Sequence, residues 1–114
     1  MDKFILIHNP KCSKSRKALE ILTEHKMEIK VLEYLKEPLS KKFLSEVFSA
    51  LGKKPSEVLR TKEEEFKALS LDLNDDEAVI EAIIKFPKIL ERPIIIKGKK
   101  AVIGRPIENI NELL

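Results

Sequence analysis

The segment His8-Asn9-Pro10-Lys11-Cys12-Ser13-Lys14-Ser15-Arg16 holds the chain's single cysteine directly after the apolar run Phe4-Ile5-Leu6-Ile7. Beyond it, Ala18, Leu19, Ile21 and Leu22 recur at helical spacing, which places Cys12 at or beside a helix N-terminus. Unpaired backbone N–H groups and the helix dipole favour negative charge there, so the thiol should ionise easily. Lys11, Lys14 and Arg16 act in the same direction. The same N–H groups can hold an oxyanion against the sulfur, bringing a nucleophile and an anion cradle to one spot. The polar neighbours Lys11, Ser13 and Lys14 predict an exposed thiolate, against the alternative of a cysteine packed as a small hydrophobe. His8, just past the apolar run, reads equally well as a packed residue or as a partner of the thiolate.

Only four of the 22 basic residues are arginines: Arg16, Arg60, Arg92 and Arg105. Arginine's planar fork grips carboxylates and oxyanions bidentately, which lysine cannot do. Arg16 lies one helical turn after the cysteine, and Arg92 and Arg105 each directly precede a proline. Ordinary surface or salt-bridging arginines fit this pattern equally well.

These residues need a scaffold, and 114 residues suit one domain, 1–114, with one core. A lone cysteine excludes a disulfide framework and points to a reducing compartment, so the cytoplasm is expected. The apolar opening is too short for a membrane span or a signal peptide, and no membrane association is expected. With a net charge of +3, one Tyr, no Trp and no basic tail, nucleic-acid binding has little support.

The spacing predicts a first strand over 4–7, a helix over about 13–25 and a second, parallel strand over 29–34. Ser40 should cap a helix bearing Phe43, Leu44, Val47, Phe48 and Leu51, stopped by Gly52. A short segment follows from Pro55, then an exposed helix over 61–69, then a helix capped by Asn74-Asp75-Asp76 that ends before Pro87. Pro93–Lys97 and Ala101–Ile103 flank a glycine turn as a hairpin. Pro106 should start a closing helix with Ile107, Ile110, Leu113 and Leu114 on one face. The fold class is therefore α/β: a thioredoxin-like βαβ…ββα mixed four-stranded sheet with a helical insertion over about 40–86. In such folds a cis-proline opens the third strand opposite the cysteine. Pro93 is the candidate, although a trans proline starting an edge strand fits the local sequence as well.

His8-Asn9-Pro10-x-Cys12-x-x-Ser15-Arg16, Leu59-Arg60, Glu91-Arg92-Pro93-Ile94 and Gly104-Arg105-Pro106 together resemble the glutaredoxin-coupled arsenate reductase family, over essentially the whole chain. The likeness is to a compact branch of that family whose physiological substrate is uncertain. It implies that Cys12 is the nucleophile and that Arg60, Arg92 and Arg105 hold the oxyanion. Arg16 would assist in binding, and His8 and Ser15 would tune the thiolate. It implies arsenate or a similar oxyanion as substrate, and no bound cofactor. Glutathione would be the co-substrate, with glutaredoxin completing the cycle and arsenite released. Ser13 and Phe66 depart from residues common in the resistance-type enzymes, which bears on the substrate rather than on the thiol. No metal site is expected, because Cys12, His8 and His25 lack ligand spacing. Two alternatives stand beside this. One is a non-catalytic Spx-type regulator that binds RNA polymerase, although Ser15 fills the position of the second switch cysteine. The other is a glutathione-linked thiol reductase acting on a different substrate. A cysteine phosphatase fits poorly, since Ala18 stands where its loop would need arginine.

Overall fold

A computed structural model of the chain describes residues 3–114, which separate into two compact units. One unit comprises the chain up to Glu37 together with Arg92–Leu114, and the other is Pro38–Glu91.

The first unit is built on strand β1, Phe4–His8, whose Phe4, Leu6, Ile7 and His8 are all buried. A strand covered on both faces can be an uninterrupted apolar run, which is why this segment shows no alternation. Helix α1, Ser13–Glu24, carries the chain back to β2, Ile29–Glu33, which pairs parallel to β1 with Phe4 opposite Ile29. The later strands β3, Ile94–Lys97, and β4, Lys100–Ile103, form a hairpin. Gly98 in its turn sits at φ 60°, a left-handed conformation that glycine adopts without steric cost. β3 runs antiparallel to β1, giving the order β2-β1-β3-β4. Phe4, Leu6, Ala18, Leu22, Ile95, Ile110 and Leu113 form one core between sheet and helices. The arrangement is the mixed, thioredoxin-like sheet expected from the sequence.

The closing segment differs from expectation. Ile107–Glu112 is a 3₁₀ helix, held by i→i+3 bonds such as Asn109 N–H to Pro106 O at 3.0 Å. At three residues per turn Ile107, Ile110 and Leu113 align on one face, so the tighter helix buries Ile110 and Leu113 and packs a half-buried Ile107 against the core. Leu114 falls off that face and is exposed.

The second unit is helical. Helix α2, Lys41–Leu51, starts where the Ser40 hydroxyl accepts the Phe43 N–H at 3.0 Å and stops at left-handed Gly52. A 3₁₀ turn, Pro55–Val58, leads to an isolated antiparallel bridge between Leu59 and Leu90. The expected helix over 61–69 shrinks to the single turn α3, Glu64–Lys67. It buries no residue, and a polar helix with no packed face does not propagate. Helix α4, Asp76–Lys85, is capped by the Asp75 carboxylate accepting the Ala78 N–H at 3.1 Å, and it packs on α2. Lys41 reaches from the start of α2 to Glu77 at 2.8 Å and Glu81 at 3.2 Å. Among the described residues no helix is long and apolar enough to cross a membrane.

Candidate active site

Chemistry concentrates where β1 ends and α1 begins. The Asn9 carbonyl accepts the Cys12 N–H at 2.9 Å, closing a turn around Pro10. The Asn9 side-chain oxygen accepts the Lys11 N–H at 3.0 Å inside that turn. Asn-Pro is a turn-forming pair, so the signal for Asn9's part lies in the sequence itself. Cys12 is the N-cap of α1, with extended backbone angles, and the Arg16 N–H is the first to bond within the helix, to Cys12 O at 3.0 Å.

Cys12 is 8% exposed, which corrects the expectation of an open thiol. The reason is helical phase. Cys12 precedes Ser15, Ala18 and Leu22 on the buried stripe of α1, while Lys11, Ser13, Lys14 and Arg16 turn outward. Polar sequence neighbours therefore surround a sheltered sulfur. Burial pushes its pKa up. The Ser15 and Lys14 backbone N–H groups, the Arg92 guanidinium and the Arg105 hydrogen bond together outweigh burial, and the thiol lies below its ordinary range.

Arg105 Nη2 donates to Cys12 Sγ at 3.6 Å, and Arg105 Nε donates to the Arg92 carbonyl at 2.8 Å. The Gly104 N–H donates to the next carbonyl, Pro93 O, at 2.9 Å, so this segment is laced to the start of β3. A Cβ on Gly104 would lie 2.8 Å from Pro93 Cγ and 3.1 Å from Ile95 Cδ1. The close approach of the two segments requires glycine. Arg92 is buried, and both the Arg92–Pro93 and the Arg105–Pro106 peptides are cis. Asn109 Nδ2 donates to Ile103 O at 3.0 Å and to Arg105 O at 3.3 Å, bracketing the same segment from the other side. Sequence reasoning missed Asn109. Nothing in its neighbours distinguishes it from a surface residue of a helix.

His8 and Ser15 are both buried, and His8 Nδ1 lies 2.6 Å from Ser15 Oγ, which also accepts the Asn9 N–H at 3.0 Å. In the Nε2–H tautomer the Ser15 hydroxyl donates to Nδ1. The imidazole therefore engages the first turn of α1 through Ser15, whose own N–H faces the sulfur. Burial holds the His8 pKa below its ordinary value; nearby Glu33 opposes this and Arg16 adds to it. Arg16 is exposed and donates from Nη1 to Pro10 O at 2.8 Å, bracing the turn. Arg60 belongs to the second unit, where it pairs with Glu63 at 3.2 Å and Glu91 at 3.8 Å. Among the described residues no three His, Cys, Asp or Glu side chains cluster as metal ligands do.

The first unit thus joins a sheltered, ionisable sulfur to amide donors and two arginines, the equipment for attack on a tetrahedral oxyanion. A family model described as the ArsC family matches residues 7–113. An arsenate reductase of Neisseria meningitidis is 39% identical over 117 aligned positions, covering 100% of both chains. One from Haemophilus influenzae is 38% identical, covering 96% of this chain and 97% of its own. The solved structure of an arsenate reductase from Vibrio cholerae superposes with a TM-score of 0.91 at 36% identity, over 99% of this chain and 98% of that one.

Proposed function

Because the chain belongs to the ArsC family, we propose that it is an arsenate reductase in which Cys12 is the nucleophile and Arg92 and Arg105 neutralise the oxyanion. The observation that carries this is the Arg105 guanidinium donating to Cys12 Sγ beside the Lys14 and Ser15 amides. The same donors that stabilise the thiolate are within reach of an anion bound to it. The Cys12 thiolate attacks arsenic, and one arsenate oxygen leaves as water after protonation, forming an S–As bond. A glutathione thiolate then attacks the Cys12 sulfur. The S–As electron pair departs with arsenic, which falls from the pentavalent to the trivalent state and leaves as arsenite. Cys12 is left in a mixed disulfide with glutathione. With no second cysteine in the chain, an external thiol must release it, and glutaredoxin is the proposed donor.

Arsenite production by purified protein with arsenate, glutathione and glutaredoxin tests this directly. Turnover should vanish in Cys12→Ser with the fold intact by circular dichroism, and should slow when glutaredoxin is withheld. No arsenite under any thiol supply would overturn the reading. The sequence-based expectation that Arg60 holds the oxyanion together with Arg92 and Arg105 is tested by Arg60→Lys in the same assay, where reduced turnover is expected.

A further inference from the structure

We propose that Asn109 is a positioning residue that aims Arg105 at Cys12. This rests on the reading of Arg105 as the group that holds the oxyanion and the thiolate. Apart from its bond to Cys12 Sγ, the Arg105 guanidinium is aimed by its Nε bond to Arg92 O and by its own backbone. That backbone leaves β4 through Gly104, a residue with no side chain to fix it, and enters a peptide leading to Pro106, which has no N–H to donate. On one side the Gly104 N–H grips Pro93 O. On the other, the two N–H bonds of one Asn109 amide reach the carbonyls of Ile103 and Arg105, on either side of Gly104.

Two carbonyl acceptors at one nitrogen require the NH₂ group there, so the amide's orientation is determined by its partners. Few side chains as short as asparagine offer two parallel donors. The Asn109 backbone N–H bonds Pro106 O, so the residue is also tied to the start of its own 3₁₀ helix. That helix is seated in the core by Ile110 and Leu113. Asn109 thus transfers the rigidity of the core to the carbonyl of Arg105. Without the side-chain amide, the carbonyls of Ile103 and Arg105 lose that hold, and the Arg105 backbone is steadied less on the side away from β3.

Asn109→Leu removes both donors while keeping the branched side-chain skeleton, and the smaller Asn109→Ser serves in its place if the leucine variant does not fold. The readouts are the pH profile of Cys12 alkylation by iodoacetamide and the protection that arsenate gives against it, each compared with Arg105→Lys and with the double variant. Asn109→Leu should raise the alkylation inflection by roughly half a pH unit or more and weaken arsenate protection about tenfold, the scale of one charge-assisted hydrogen bond. In the Arg105→Lys background the same change should add nothing further, because its effect runs through Arg105. A wild-type profile and wild-type protection in Asn109→Leu would overturn the proposal. So would equal added losses in both backgrounds, which would make Asn109 a general contributor to stability. Alkylation reads the Asn109–Arg105–Cys12 link whether or not arsenite is formed, so failure of the reductase reading shows separately, in the arsenite assay.

Discussion

At the sulfur of Cys12, burial opposes ionisation while two backbone amides and two guanidinium groups favour it, and the second set prevails. Alkylation rate against pH should therefore inflect below about 8.5, the unperturbed thiol value, and Arg105→Ala should move the inflection up. The stability consequence has a definite sign. The folded thiol loses its proton at lower pH than the unfolded one, so stability rises as pH climbs between the two values. Cys12→Ser should lose that rise, as seen in Tm measured across the same pH interval. Arg105→Lys keeps the charge but not the planar fork, and arsenate protection of Cys12 should weaken about tenfold. The sequence made Cys12's place at the helix start legible, through the apolar spacing of Ala18 and Leu22. It concealed the sulfur's burial, because polarity of neighbours along the chain says nothing about which way one side chain points.

Among the elements, caps decide where helices begin. Ser40→Ala should cost about 1 kcal/mol in urea unfolding, since the Phe43 N–H loses its acceptor at the start of α2. Gly104→Ala should cost more, about 1–3 kcal/mol, because the new methyl meets the closed ring of Pro93, which cannot rotate aside. That variant should also raise the Cys12 alkylation inflection, as the exit of β4 is forced away from β3. Ser40, Gly52, Asp75 and the glycine turn of the hairpin were readable in advance because each is a local device acting within a few residues. The single turn at Glu64–Lys67 and the 3₁₀ closing helix were not. Their form depends on whether a face finds something to pack against, and that is settled by residues distant in sequence.

For the molecule as a whole, His8 sets an acid limit. Its folded pKa lies below the unfolded value of about 6.5, so the unfolded chain binds the proton first as pH falls. Stability should be full above that value and decline below it, and Tm measured from pH 7.5 to 5 should show the fall, reduced in His8→Gln. The β1–β2 and β3–β4 pairings followed from sequence, because a helical crossover imposes a parallel pair and a tight turn an antiparallel one, while the full order also needs β3 beside β1, a contact between distant segments. The cysteine's partners did not follow from that order alone. Arg105 stands 93 residues beyond Cys12, and β1 is flanked on one side by β3, with Phe4 opposite Lys97. During synthesis Cys12 and the α1 amides beside it are therefore made well before the two arginines that join them. A nascent chain holding β1, α1 and β2 alone has the Ser15 and Lys14 amides at the sulfur but neither arginine. The guanidinium share of the activation arrives only with the segments that flank the β3–β4 hairpin, so the thiolate gains its last support late in folding.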